Sequence, residues 1–161
     1  MSFLKQLFGG NKTRTAGGNA NYNADDPLLA DSNGLLTVLI AAVGRRDRAA
    51  VNALIAAGVN VNETNNKGVT ALMVAADKGD RDSLKALITA GANLSARDNN
   101  EGATALHVAA AKGYVECVKA LIAAGANLNA KDNRGFTPLF IASVACSDDV
   151  EAVLRDAGAT K

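Results

Sequence analysis

Thr104-Ala105-Leu106-His107-Val108-Ala109 decides the fold, because the 161-residue chain writes the same phrase three more times. The other copies are Thr37-Val38-Leu39-Ile40-Ala41-Ala42, Thr70-Ala71-Leu72-Met73-Val74-Ala75 and Thr137-Pro138-Leu139-Phe140-Ile141-Ala142. Each is followed by a second apolar stretch that runs into a glycine: Leu54-Ile55 to Gly58, Leu87-Ile88 to Gly91, Leu121-Ile122 to Gly125, Val153-Leu154 to Gly158. Those glycines stand 33, 34 and 33 residues apart. A fixed period of this length marks a stack of small units that bury their apolar faces against one another.

The pattern inside each unit predicts two helices. Thr opens the first, where its hydroxyl can accept from a backbone N–H that has no partner within the helix. Pro138 sits in the first turn, where its missing N–H costs nothing. Gly79 and Gly113 close first helices, and Gly58, Gly91, Gly125 and Gly158 close second helices, as expected of a left-handed C-cap. Short extended pieces with alternating side chains are expected next, at Asn60-Val61-Asn62, Asn93-Leu94-Ser95 and Asn127-Leu128-Asn129. Polar turns follow, ending at Gly68, Gly102 and Gly135. Ala and Leu supply much of the 48% apolar content and aromatics only 4%, which favours an all-α chain.

Taken together, these positions resemble the ankyrin repeat. The match is fullest in the third unit, at Gly102, Thr104, Leu106, His107, Ala109, Ala110, Gly113, Val118, Leu121, Gly125 and Ala126. In the fourth it rests on Asp132, Gly135, Thr137, Pro138, Leu139 and Ala142. The resemblance implies an all-α solenoid of helix-turn-helix units joined by hairpin-like loops. It also implies a protein-binding role for the tips and first helices, and a histidine bridge between units at His107. The expected layout is a short amphipathic helix at residues 1–9 and a Gly/Asn-rich linker at 10–31. The repeat domain takes residues 32–161, with units near 32–64, 65–97, 98–131 and 132–161. The first unit departs most, with Leu35 in the place of the tip glycine and Arg46 in that of a helix-ending one.

The two ends of the array differ. Val51, Leu84 and Val118 share one second-helix column, where the fourth unit has Glu151. Ile55, Ile88 and Ile122 share another, where it has Arg155. A charge belongs there only if no further unit stacks on it, since each apolar residue so sandwiched is worth roughly 1.5–3 kcal/mol. The first unit shows no such polar substitution. Phe3, Leu4, Leu7 and Phe8 fall on one side of a short helix that could cover this face. The same segment could instead dock on another copy or partner, touch a membrane, or stay disordered. A self-assembling structural protein is therefore the alternative to a binding module.

Seventeen basic and sixteen acidic side chains nearly cancel, which gives nucleic-acid binding no support. Two cysteines and one histidine make neither a disulfide framework nor a metal cluster. No phosphate loop, nucleophile motif or carboxylate pair suggests catalysis or a cofactor. No apolar run reaches the roughly 18 residues of a membrane span, so membrane contact is not expected and a cytoplasmic location is.

On the concave side, the repeat-specific positions are Arg45, Lys67, Val69, Asp77, Lys78, Glu101, Lys112, Tyr114, Arg134 and Phe136. Arg45, Lys78 and Lys112 share a column and would form a cationic row, although a solvated edge has the same pattern. Phe136 is either an exposed anchor or packed onto Tyr114 or Arg134. The tip before Gly102 is one residue longer than the others, which loops tolerate cheaply.

Overall fold

The computed structural model describes residues 35–160, and the segment holding Phe3, Leu4, Leu7 and Phe8 lies outside them. The described residues form four helix pairs and no strand. These are α1 (Leu35–Gly44) with α2 (Arg48–Ala56), α3 (Ala71–Lys78) with α4 (Arg81–Thr89), α5 (Ala105–Lys112) with α6 (Val115–Ala123), and α7 (Pro138–Val144) with α8 (Asp148–Asp156). First helices stack on first helices and second on second, giving two layers. The core between them is continuous along the stack.

The repeated threonines do what their position predicts in three units. Thr70, Thr104 and Thr137 accept at their hydroxyls from the backbone N–H groups of Met73, His107 and Phe140, each cap contributing about 1 kcal/mol. Thr37 does not open its helix, because α1 already begins at Leu35. The reason is in the tip column: Gly68, Gly102 and Gly135 have φ of 75°, 68° and 86°. Leu35 takes that column in the first unit and continues as helix instead.

Every helix pair turns through the same left-handed residue. Gly79 and Gly113 supply it in the middle units, but Arg46 and Cys146 adopt it in the outer ones, with φ of 59° and 57°. The turn's hydrogen bonds are the same in all four: Asp47, Asp80, Tyr114 and Ser147 donate back to the carbonyls of Ala42, Ala75, Ala109 and Ala142. A side chain at Gly79 would collide, since a Cβ there would lie 2.9 Å from the Tyr114 ring.

Alanine on the first helices sets how closely the units approach. Ala71, Ala75, Ala76, Ala109 and Ala110 are at most 0% exposed, while Leu72, Leu87, Leu106 and Leu121 fill the space between layers. The stretches at 60–62, 93–95 and 127–129, expected to be extended, are turns. Each opening asparagine folds back on itself: the side chains of Asn60, Asn93 and Asn127 accept from the N–H groups of Asn62, Ser95 and Asn129. Local side-chain bonding of this kind outcompetes an extended backbone.

The charged columns of the fourth unit pair with each other. Val51, Leu84 and Val118 are fully buried, whereas Arg155 donates to Glu151 at 3.1 Å one turn away. An exposed pair of this type adds only about 0.3–0.5 kcal/mol.

Candidate partner-binding face

Each of these tips is folded around one buried side chain. Asn65 accepts at its side-chain oxygen from Lys67 and Val69 N–H, and Asp132 does the same for Arg134 and Phe136. Asp98 holds the longer tip by using both carboxylate oxygens: Oδ2 accepts from Asn100 and Glu101, Oδ1 from Ala103. The extra residue is thereby taken up without loosening the turn. Neighbouring tips are also tied together. Asn99 N–H donates to the Lys67 carbonyl at 2.9 Å and Asn133 N–H to that of Glu101 at 2.8 Å.

His107 joins the third unit to the fourth. Its Nδ1 accepts from Thr104 N–H at 3.2 Å, which leaves Nε2–H to donate to the Phe136 carbonyl at 2.9 Å. Burial holds its pKa below the usual 6.5, against the opposing effects of the Phe136 carbonyl and the Asp132 carboxylate. The ring is neutral and structural, positioning the backbone of Phe136.

Beside that bridge, α5 and α7 bound a groove of about 280 Å³. Its apolar wall is Phe136, Phe140, Ile141 and Val144. Phe136 and Phe140 stack with centroids 4.4 Å apart at 22°, and the Arg134 guanidinium covers Phe136 at 5.0 Å. Val144 is 68% exposed. Two sets of charges border the wall. Lys112 pairs with Asp77 at 3.2 Å, and Arg134 reaches Asp132 at 3.5 Å and Glu101 at 3.8 Å.

The residues expected on this side separate into three groups. Asp77, Glu101, Lys112, Arg134 and Phe136 come together around the groove. Arg45 and Lys67 are exposed elsewhere, and Lys78 is half-buried, its carbonyl accepting from the Arg46 guanidinium. Tyr114, 37% exposed, lies against Gly79 and not against Phe136. Val69 is a correction: it is fully buried and offers no surface to a partner. Its column continues as Ala103, also buried, and as Phe136, which is half-buried. In the column of Arg45, Lys78 and Lys112, Lys112 pairs with Asp77, and the fourth unit has Ala145.

Comparison with known families decides what this stack is. The family of ankyrin repeats (3 copies) matches residues 2–98 and residues 94–161. The chain belongs to the ankyrin repeat family. No curated protein matches it. Ankyrin repeats generally mediate protein–protein interaction. In this ankyrin chain the groove lies on first helices and beside the tips.

Phe140, Ile141 and Val144 went unread as site residues, because Phe140 and Ile141 fall in columns that are buried in the second and third units and Val144 reads as one more apolar helix residue. The signal was present in the columns. Val144 and Ala145 stand where the second unit has Asp77 and Lys78. Among the described residues no group of three or more His, Cys, Asp or Glu is placed to hold a metal. Cys117 is buried, which raises its thiol to about 11, and Cys146 is exposed.

Proposed function

We propose that this chain is a non-catalytic protein-binding module that receives its partner in the groove between the third and fourth repeats. The observation that carries the reading is Val144, an aliphatic side chain 68% exposed beside the stacked Phe136 and Phe140. Aromatic and aliphatic groups fixed in place lose little entropy on binding, so they make effective anchors. The flanking charges are already paired, which favours an apolar contact at the centre and a polar rim. No helix among the described residues is long and apolar enough to cross a membrane.

Affinity capture with wild-type chain and Val144→Asp tests this reading. Specific partners should be recovered at least tenfold less with the variant, and equal recovery would dismiss the groove. Charge reversal at Arg45 and Lys67, away from it, should leave recovery unchanged. The alternative of assembly through the N-terminal segment predicts that light scattering finds oligomers at high concentration. A monomer at every concentration removes it.

A further inference from the structure

The same groove suits a segment of this chain. We propose that residues 3–8, Phe3-Leu4-Lys5-Gln6-Leu7-Phe8, dock in cis against Phe136, Phe140 and Val144 and occupy the site until a partner displaces them. This rests on the reading of the groove as the binding site. Three features support it. Phe3, Leu4, Leu7 and Phe8 are spaced to give one apolar helical face, which matches a wall that is apolar and incompletely covered.

Charge matches as well. Asp77, Glu101 and Asp132 at the groove exceed Lys112 and Arg134 by one negative charge, and the segment carries Lys5 with no acidic residue. Reach is the third feature. The 26 residues from 9 to 34 include Gly9, Gly10, Gly17 and Gly18, and a Gly/Asn-rich tether of that length spans roughly 25–30 Å. Three helix spacings, from α1 to α7, amount to about 24–30 Å. A tether matched to its span gives an effective concentration in the millimolar range, so weak contacts suffice in cis where they would fail in trans.

The full-length chain carries its own reporter position. Cys146 is exposed next to the groove residues Val144 and Ala145, while Cys117 is buried. A thiol-reactive nitroxide therefore labels Cys146 selectively, and paramagnetic broadening of the backbone amides reads out which residues approach it. Amides of residues 3–8 should be broadened, independently of dilution. The broadening should be lost in Phe3→Asp/Leu7→Asp and in Val144→Asp, and absent when nitroxide-bearing unlabelled chain is mixed with isotope-labelled chain lacking nitroxide. Sharp signals for residues 3–8 in the wild type overturn the proposal. Broadening that survives Val144→Asp overturns it by placing the segment elsewhere, and broadening in the mixed sample does so in favour of a second copy. None of these outcomes depends on an external partner. A failed segment therefore leaves the Val144→Asp capture result standing, and a failed capture leaves the broadening to be read by itself.

Discussion

His107 Nε2 lies 2.9 Å from the carbonyl oxygen of Phe136, so one side chain of the third repeat fixes the backbone that aims the groove's aromatic wall. Replacing it by leucine leaves the Thr104 N–H unpaired in a buried place and the Phe136 carbonyl with the Asp132 N–H alone. His107→Leu should cost about 1–3 kcal/mol in urea unfolding. The bond is also pH-dependent. Because folding lowers the pKa of His107 below 6.5, the unfolded chain binds the proton more tightly. The histidine's contribution is complete above pH 6.5, declines as pH falls towards the folded value, and then levels off. Stability measured on both sides of pH 6.5 should show this fall in the wild type, and a smaller one in His107→Leu.

A second bond between repeats is missing at one junction. Asn62 Oδ1 accepts from Asn93 N–H at 2.6 Å, and Asn129 Oδ1 accepts from Thr160 N–H at 2.8 Å. Ser95 holds the intervening position, with a side chain too short to make the same reach. Ser95→Asn should bond to Asn127 N–H and stabilise the chain by about 0.5–1.5 kcal/mol, seen as a higher urea midpoint with unchanged m-value. An unchanged midpoint would show that the asparagine column has no share in holding the units together.

Much of this fold is legible in sequence because its determinants are local: a threonine cap, a left-handed residue, a charge in an apolar column. The failures arise where a neighbour decides. Thr37 lies inside its helix because Leu35 replaces a glycine two residues before it. Val69 looks variable, yet it is buried, while Phe136 in the same column stays half-exposed where no described unit follows. Lys112 reads as one of a row of cations, and its ion pair with Asp77, 35 residues away, is not visible in the sequence. Half of the groove was missed for the same reason. Columns that are buried at Met73, Val74, His107 and Val108 become half-exposed at Phe140 and Ile141.

The left-handed residue at the turn between helices offers a third test. Cys146 has φ 57°, a conformation that costs a residue with a Cβ about 1–2 kcal/mol. Cys146→Gly should raise stability by about 1 kcal/mol. Arg46→Gly should gain less, because it also removes the guanidinium's bond to the Lys78 carbonyl. Thermal unfolding of the two variants side by side checks the order.

The charged end of the second-helix layer makes a fourth. Glu151→Leu with Arg155→Ile restores the columns of Val51, Leu84, Val118 and of Ile55, Ile88, Ile122. The result is an apolar face like those buried between repeats, now open to solvent. The double variant should self-associate, with light scattering showing a mass that rises with concentration. A variant that behaves like the wild type would show that the two charges do not keep this end from stacking.

Site-specific photo-crosslinking tests directly whether partners enter between the third and fourth repeats. A photoreactive residue is placed at Val144 in one chain, and in parallel chains at Lys67 and at Lys119 on the second-helix layer. With entry at the groove, position 144 captures partner in large excess over the other two. Equal capture at all three, or capture mainly from position 119, would contradict it.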